Sequence, residues 1–82
     1  MKYKITVEKT SEALEDSFEK ALSCIASSLF LISPPATGYI ENGTCLIIDT
    51  ELTSCEEVKK SMKPLFADAF EELRFVKIEL IS

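Results

Sequence analysis

The chain opens in strict alternation. From Lys2 to Lys9, Tyr3, Ile5 and Val7 fall on one side and Lys4, Thr6 and Glu8 on the other, the period of a half-buried strand. The period then changes. Leu14, Phe18, Leu22, Ile25, Leu29 and Ile32 follow at spacings of four, four, three, four and three, which places them on one face of a helix. Thr10 or Ser11 is positioned to cap that helix, with Glu12 and Glu15 favourably placed at the positive end of its dipole. Pro34-Pro35 ends it, unless it has already stopped near Ser28.

Residues 36–49, ATGYIENGTCLIID, hold an Asn-Gly pair between two apolar runs. Asn42 and Gly43 both tolerate positive φ, so the stretch reads as a hairpin with a two-residue turn. That register opposes Ile40 to Cys45 and Tyr39 to Leu46. Tyr39, Leu46 and Ile48 then share one face, and Ile40, Cys45 and Ile47 the other. Thr37-Gly38 reads as a turn. Thr53 and Glu56 have capping-box spacing and open a second helix, whose stripe is Val58, Met62, Leu65, Ala69 and Leu73. Pro64 falls inside it, which predicts a kink or short break at residues 60–63. The closing RFVKIELI alternates Val76, Ile78 and Leu80 with Phe75, Lys77, Glu79 and Ile81.

The resulting order is β-α-β-β-α-β in one 82-residue domain, residues 1–82. Two βαβ halves joined by a hairpin give the α+β ferredoxin-like sandwich, a four-stranded antiparallel sheet with two helices on one face. Its first and third strands are central. A chain of this length buries roughly 60% of its unfolded surface, so self-association is an economical way to bury more.

Charge and cysteine content narrow the function. Fourteen acids against nine bases give a net charge of −5. The bases are scattered along the sequence, whereas phosphate neutralisation needs them clustered, so direct nucleic-acid binding is not expected. Cys24, Cys45 and Cys55 are odd in number, and there is no CxxC pair and no His. Neither a disulfide framework nor a structural zinc site fits that set, and a reducing cytoplasmic location does. No apolar run approaches the ~18 residues of a membrane span.

Catalytic chemistry finds little to stand on. Without His, no Ser/His or Cys/His nucleophile pair can be assembled. Asp49 and Glu51 suit a solvated strand end better than a carboxylate pair. Glu56 and Glu57 oppose thiolate formation at Cys55. Cys24 lies off the main helical stripe. The metal-binding loop of heavy-metal-associated domains, the aromatic signatures of RNA-recognition motifs and the arginine-bearing loop of acylphosphatases are all absent, and fold analogy alone licenses no function. The chain reads as a non-enzymatic interaction module, an adaptor or an occluding inhibitor, with no cofactor or metal.

Two features point to its contacts. Asp68, Glu71 and Glu72 crowd the last turns of the second helix, where acids oppose the dipole, and would suit a protein partner with a basic surface. Ile40, Cys45, Ile47, Phe75 and Ile81 fall on the sheet face away from the helices and form an apolar strip for a homodimer. Two alternatives are a dimeric ACT-like domain binding a small effector, and an anti-defence inhibitor or antitoxin of the phage type that blocks a nucleic-acid-binding target.

Overall fold

The computed structural model describes all 82 residues. The elements are β1 (Lys2–Lys9), α1 (Glu15–Ser27), a 3₁₀ turn (Leu29–Leu31), β2 (Thr37–Glu41), β3 (Cys45–Asp49), α2 (Cys55–Asp68) and β4 (Leu73–Leu80). The strands form one antiparallel sheet in the order β2-β3-β1-β4, so β1 and β3 are central as the sequence predicts. With two helices on that sheet, the architecture is α+β and ferredoxin-like. No helix is long and apolar enough to cross a membrane.

Tyr3, Ile5 and Val7 of β1 and Leu46 and Ile48 of β3 form the floor of the core. Phe18, Leu22 and Ile25 of α1, Leu29 of the 3₁₀ turn, and Val58 and Met62 of α2 close it from above. Tyr3 is fully buried, and its hydroxyl donates to the Leu52 carbonyl at 2.8 Å, tying β1 to the loop that leads into α2. Burial, reinforced by the nearby Cys55 and Glu57, raises the Tyr3 phenol above its usual value.

The helix boundaries differ from the sequence reading. Residues 10–13 form a turn closed by the Ala13 N–H to the Thr10 carbonyl at 3.2 Å, so α1 starts at Glu15. Leu14 is therefore its N-cap and not part of its buried stripe. The helix stops at Ser27, close to the earlier of the two expected ends, and Ile32 reaches the core from beyond the 3₁₀ turn. The cap of α2 is Ser54, one residue after Thr53; its hydroxyl oxygen accepts the Glu57 N–H at 3.2 Å. The helix continues through Pro64 without a break. Pro64 removes one N–H from the ladder, and the carbonyl it deprives is that of Lys60, an exposed residue that water can serve.

The hairpin register is also corrected. Asn42 and Gly43 do take positive φ, 55° and 72°. The loop nevertheless has three residues, because Thr44 belongs to it and Glu41 pairs with Cys45. The Thr44 carbonyl accepts the Val7 N–H at 3.0 Å, which anchors the loop end to β1. This one-residue change moves every β2 side chain to the opposite face. Ile40 now opposes Leu46 over the core, and Tyr39 opposes Ile47 on the outer face, where it is 58% exposed. Gly38 is a strand residue, not a turn residue. A Cβ there would lie 2.4 Å from the Ile47 carbonyl oxygen and 2.8 Å from Leu29 Cδ1, so the 3₁₀ turn can approach β2 only over glycine.

A bulge re-sorts β4. Thr6 pairs with Lys77 and Val7 with Phe75, leaving Val76 as the extra residue. Leu73 and Phe75 on one side of it, and Ile78 and Leu80 on the other, oppose core-facing or adjoining β1 positions. Leu73 thus belongs to β4 rather than to the stripe of α2. Phe75 packs edge-on against Phe66 of α2 with ring centroids 5.9 Å apart.

Candidate functional site

The face of the sheet away from the helices is not the apolar strip expected from the sequence. Ile40 and Phe75 are on the helix side, for the register reasons given above. Cys45 and Ile47 do point outward, but only 7% and 3% of their surface is exposed. Ile47 sits between Tyr39 of β2 and Lys4 of β1, and Lys4 is followed by Glu79 of β4. Cys45 sits between Glu41 and Thr6, with Lys77 next in that row. Long amphipathic side chains lay their stems over their neighbours and keep their polar ends in water. Of the five residues assigned to the strip, only Ile81 is both outward-facing and substantially exposed.

The apolar side chains most open to solvent lie at two other places. Leu31 and Phe30, 67% and 66% exposed, stand on the 3₁₀ turn, while Leu14 is 74% and Phe70 60% exposed and these two line one cleft between the β1–α1 turn and the α2–β4 turn. Leu14 is open because it precedes the helix that would have turned it inward. Phe70 is open because α2 ends at Asp68 and the chain turns outward at residues 69–72. The two walls are tied together. Thr10 donates its N–H to the Glu72 carbonyl at 3.1 Å and its hydroxyl to the Glu71 carbonyl at 2.7 Å.

The rim of this cleft is acidic. Glu12, Glu71 and Glu72 line it, and none is ion-paired; the ion pairs of the chain, Met1–Asp49 and Lys77–Glu79, are at other places. Two cations stand at this rim, both turned to backbone carbonyls: the Arg74 guanidinium donates to Phe70 and Leu73 in the α2–β4 turn, and Lys9 Nζ donates to Thr10 at 3.1 Å and Ala13 at 2.9 Å. Of the three acids singled out in the sequence, Glu71 and Glu72 come together here. Asp68 lies round the corner, in the groove between α1 and α2, where Glu72 also reaches. Only Asp68 is helical, so the expected opposition to the helix dipole applies to it alone; the dipole field fades beyond the last turn.

Sequence reasoning missed Leu14 and Phe70. Leu14 fits the helical stripe four residues before Phe18, so its pattern points inward. Phe70 has Phe66 four residues before it and Leu73 three after it, so its spacing gives no sign of exposure, and only the end of α2 at Asp68 frees it.

The remaining chemistry is sparse. No group of three or more His, Cys, Asp or Glu side chains is arranged to hold a metal ion. Asp49 is 3.5 Å from the α-amino group of Met1, which accounts for one of the two candidate carboxylates. The three cysteines are free thiols, Cys24 exposed, Cys45 buried and Cys55 between. The basic residues are less scattered than the sequence suggests. Lys59, Lys60 and Lys63 line a groove with Phe66 and Phe75, and Lys59 Nζ sits 4.9 Å from the Phe75 ring centroid. No family model, curated protein or solved structure matches the chain.

Proposed function

We propose that this chain is a protein-interaction module that acts by surface complementarity, without catalysing a reaction, and that its principal contact is the acid-rimmed cleft between Leu14 and Phe70. The observation that carries this reading is the joint placement of two uncovered apolar anchors with three unpaired carboxylates. Apolar side chains at the centre of a patch supply most of the affinity of a protein contact once water is excluded. Unpaired charges at the rim attract an oppositely charged partner and speed its approach. A partner that fits therefore offers a basic surface with at least one apolar side chain at its centre. Such a module serves as an adaptor or as an inhibitor that occludes a basic surface. Three free thiols suit a reducing, cytoplasmic setting.

The test uses the wild-type chain as bait beside two variants, Leu14→Ser/Phe70→Ser and Glu71→Lys/Glu72→Lys. A partner held by the wild type should be lost to the first variant through faster dissociation. The second should lose it through slower association at low salt, with a weaker salt dependence. A partner retained equally by both variants would place the contact on another surface.

A further inference from the structure

We infer that the outer edge of β4 is a self-complementary surface, through which two copies of this chain pair antiparallel across a two-fold axis at Ile78. β4 is an edge strand eight residues long, with β1 on one side and no strand on the other. An edge of that length is a template for another strand unless it is blunted. The bulge at Val76 blunts only the first half, and pairing with β1 is regular from Lys77 to Leu80. Ile81 donates its N–H to the Lys2 carbonyl at 2.9 Å. By the two-residue alternation of a strand, the amides and carbonyls of Ile78 and Leu80 then point away from β1, to the open edge.

The occupant follows from the sequence of the edge. Val76-Lys77-Ile78-Glu79-Leu80 reads apolar, positive, apolar, negative, apolar. Laid antiparallel against itself about Ile78, it opposes Lys77 to Glu79 of the second copy, twice, and Val76 to Leu80 of the second copy, twice. Ile78 meets its own equivalent, with its outward amide and carbonyl placed to exchange hydrogen bonds across the axis. Registers displaced by two residues, the smallest shift that keeps the faces matched, set Lys77 against Lys77 or Glu79 against Glu79. Charge thus selects one register. Lys77 and Glu79 lie on the outer face, 3.5 Å apart at nitrogen and oxygen within one copy, and Glu79 also opposes Lys4 of β1. Pairing extends this into a row of alternating charge, Lys4 and Glu79 followed by Lys77 of the second copy. Val76 and Leu80 are 47% and 50% exposed in the single chain and are covered in the pair. The contact is isologous and closes on itself, giving an eight-stranded sheet. It uses no residue of the acid-rimmed cleft and stands whether or not that cleft binds a partner.

The experiment is a charge-swap set read by sedimentation, with amide hydrogen exchange alongside. Wild type should show a concentration-dependent monomer–dimer equilibrium, with the Ile78 and Leu80 amides gaining protection as dimer forms. Lys77→Glu and Glu79→Lys each place like charges in opposition, and each alone should sediment as a folded monomer. Mixing the two variants should restore a dimer, because an all-acidic edge then meets an all-basic one. The double variant Lys77→Glu/Glu79→Lys should dimerise by itself. A wild type that stays monomeric at its highest soluble concentration overturns the proposal. So do single variants that still dimerise, a mixture that stays monomeric, or protection of Ile78 and Leu80 that appears only when a different protein is added.

Discussion

Ile47 and Phe70 are both large apolar side chains without a helix packed over them, yet Ile47 is 3% exposed and Phe70 60%. The difference lies in what their neighbours bring. In the sheet, cross-strand partners stand beside a side chain at fixed spacing, and the partners of Ile47 are Tyr39 and Lys4, each long enough to lie across it. Phe70 stands in a turn. Its neighbour Glu71 is exposed and Glu72 half-buried, and Arg74 is committed to backbone carbonyls. A hydrophobic residue on an outer surface is therefore not by itself a contact site. It becomes one when nothing in its own chain is placed to cover it.

The largest effect that sharpens this comparison is on β3 itself. Ile48 faces the helices and is fully buried, and a lysine there would put a charge into the core. The total stability of a chain this long is roughly 4–12 kcal/mol at about 0.05–0.15 kcal/mol per residue. Ile48→Lys should abolish the cooperative thermal transition seen by circular dichroism. Ile47→Lys, one residue away on the outer face, should stay folded and cost about 1–2 kcal/mol, since its ammonium can reach water past Tyr39. Were the two outcomes exchanged, the pairing of β3 with β1 would be off by one residue. Gly38→Ala probes the β2–β3 register. The added methyl meets the Ile47 carbonyl and Leu29, so urea titration should show a loss of about 1–3 kcal/mol. A neutral result would place Gly38 on the outer face.

A smaller effect comes from Tyr3 of β1, beside Ile48 on the core-facing side of the sheet. Its phenol titrates above 10.0 in the folded chain, chiefly because it is buried. Its contribution to stability is fully present below pH 10.0, the value for an unperturbed phenol. Above that pH the unfolded chain loses the proton while the folded one keeps it, so stability falls until the pH passes the raised folded value. Tyr3→Phe should flatten that alkaline decline and cost about 1 kcal/mol at neutral pH, from the hydrogen bond to Leu52. A decline of unchanged steepness in Tyr3→Phe would mean that lysine titration alone drives it.

The fold was legible because its signals are local and agree with one another. Alternation in β1, the stripe Phe18, Leu22 and Ile25, and the Asn42-Gly43 turn each name an element, and together they name the topology. Which face each strand presents was less legible. Face assignment depends on single-residue choices, namely the third loop residue at Thr44 and the bulge at Val76, and both are set by tertiary pairing with β1 rather than by propensity. Those two choices moved Ile40 and Phe75 from the proposed strip into the core. The acids of the candidate site were visible as a cluster, but its apolar centre was not. Leu14 carries the pattern of a buried helical residue, and only the turn at residues 10–13 takes it out of the helix.

The most direct test of the contrast between a sealed face and an open cleft compares two truncations by thermal unfolding. Ile47→Ala should lose about 2 kcal/mol, as a buried aliphatic does, and lower Tm by roughly 10 °C at about 4–8 °C per kcal/mol for a chain of this size. Leu14→Ser/Phe70→Ser should leave stability within about 0.5 kcal/mol of wild type, because those side chains are already in water. The opposite pattern, with Ile47→Ala silent and Leu14→Ser/Phe70→Ser strongly destabilised, would show that the cleft is part of the core and the outer sheet face is the open surface.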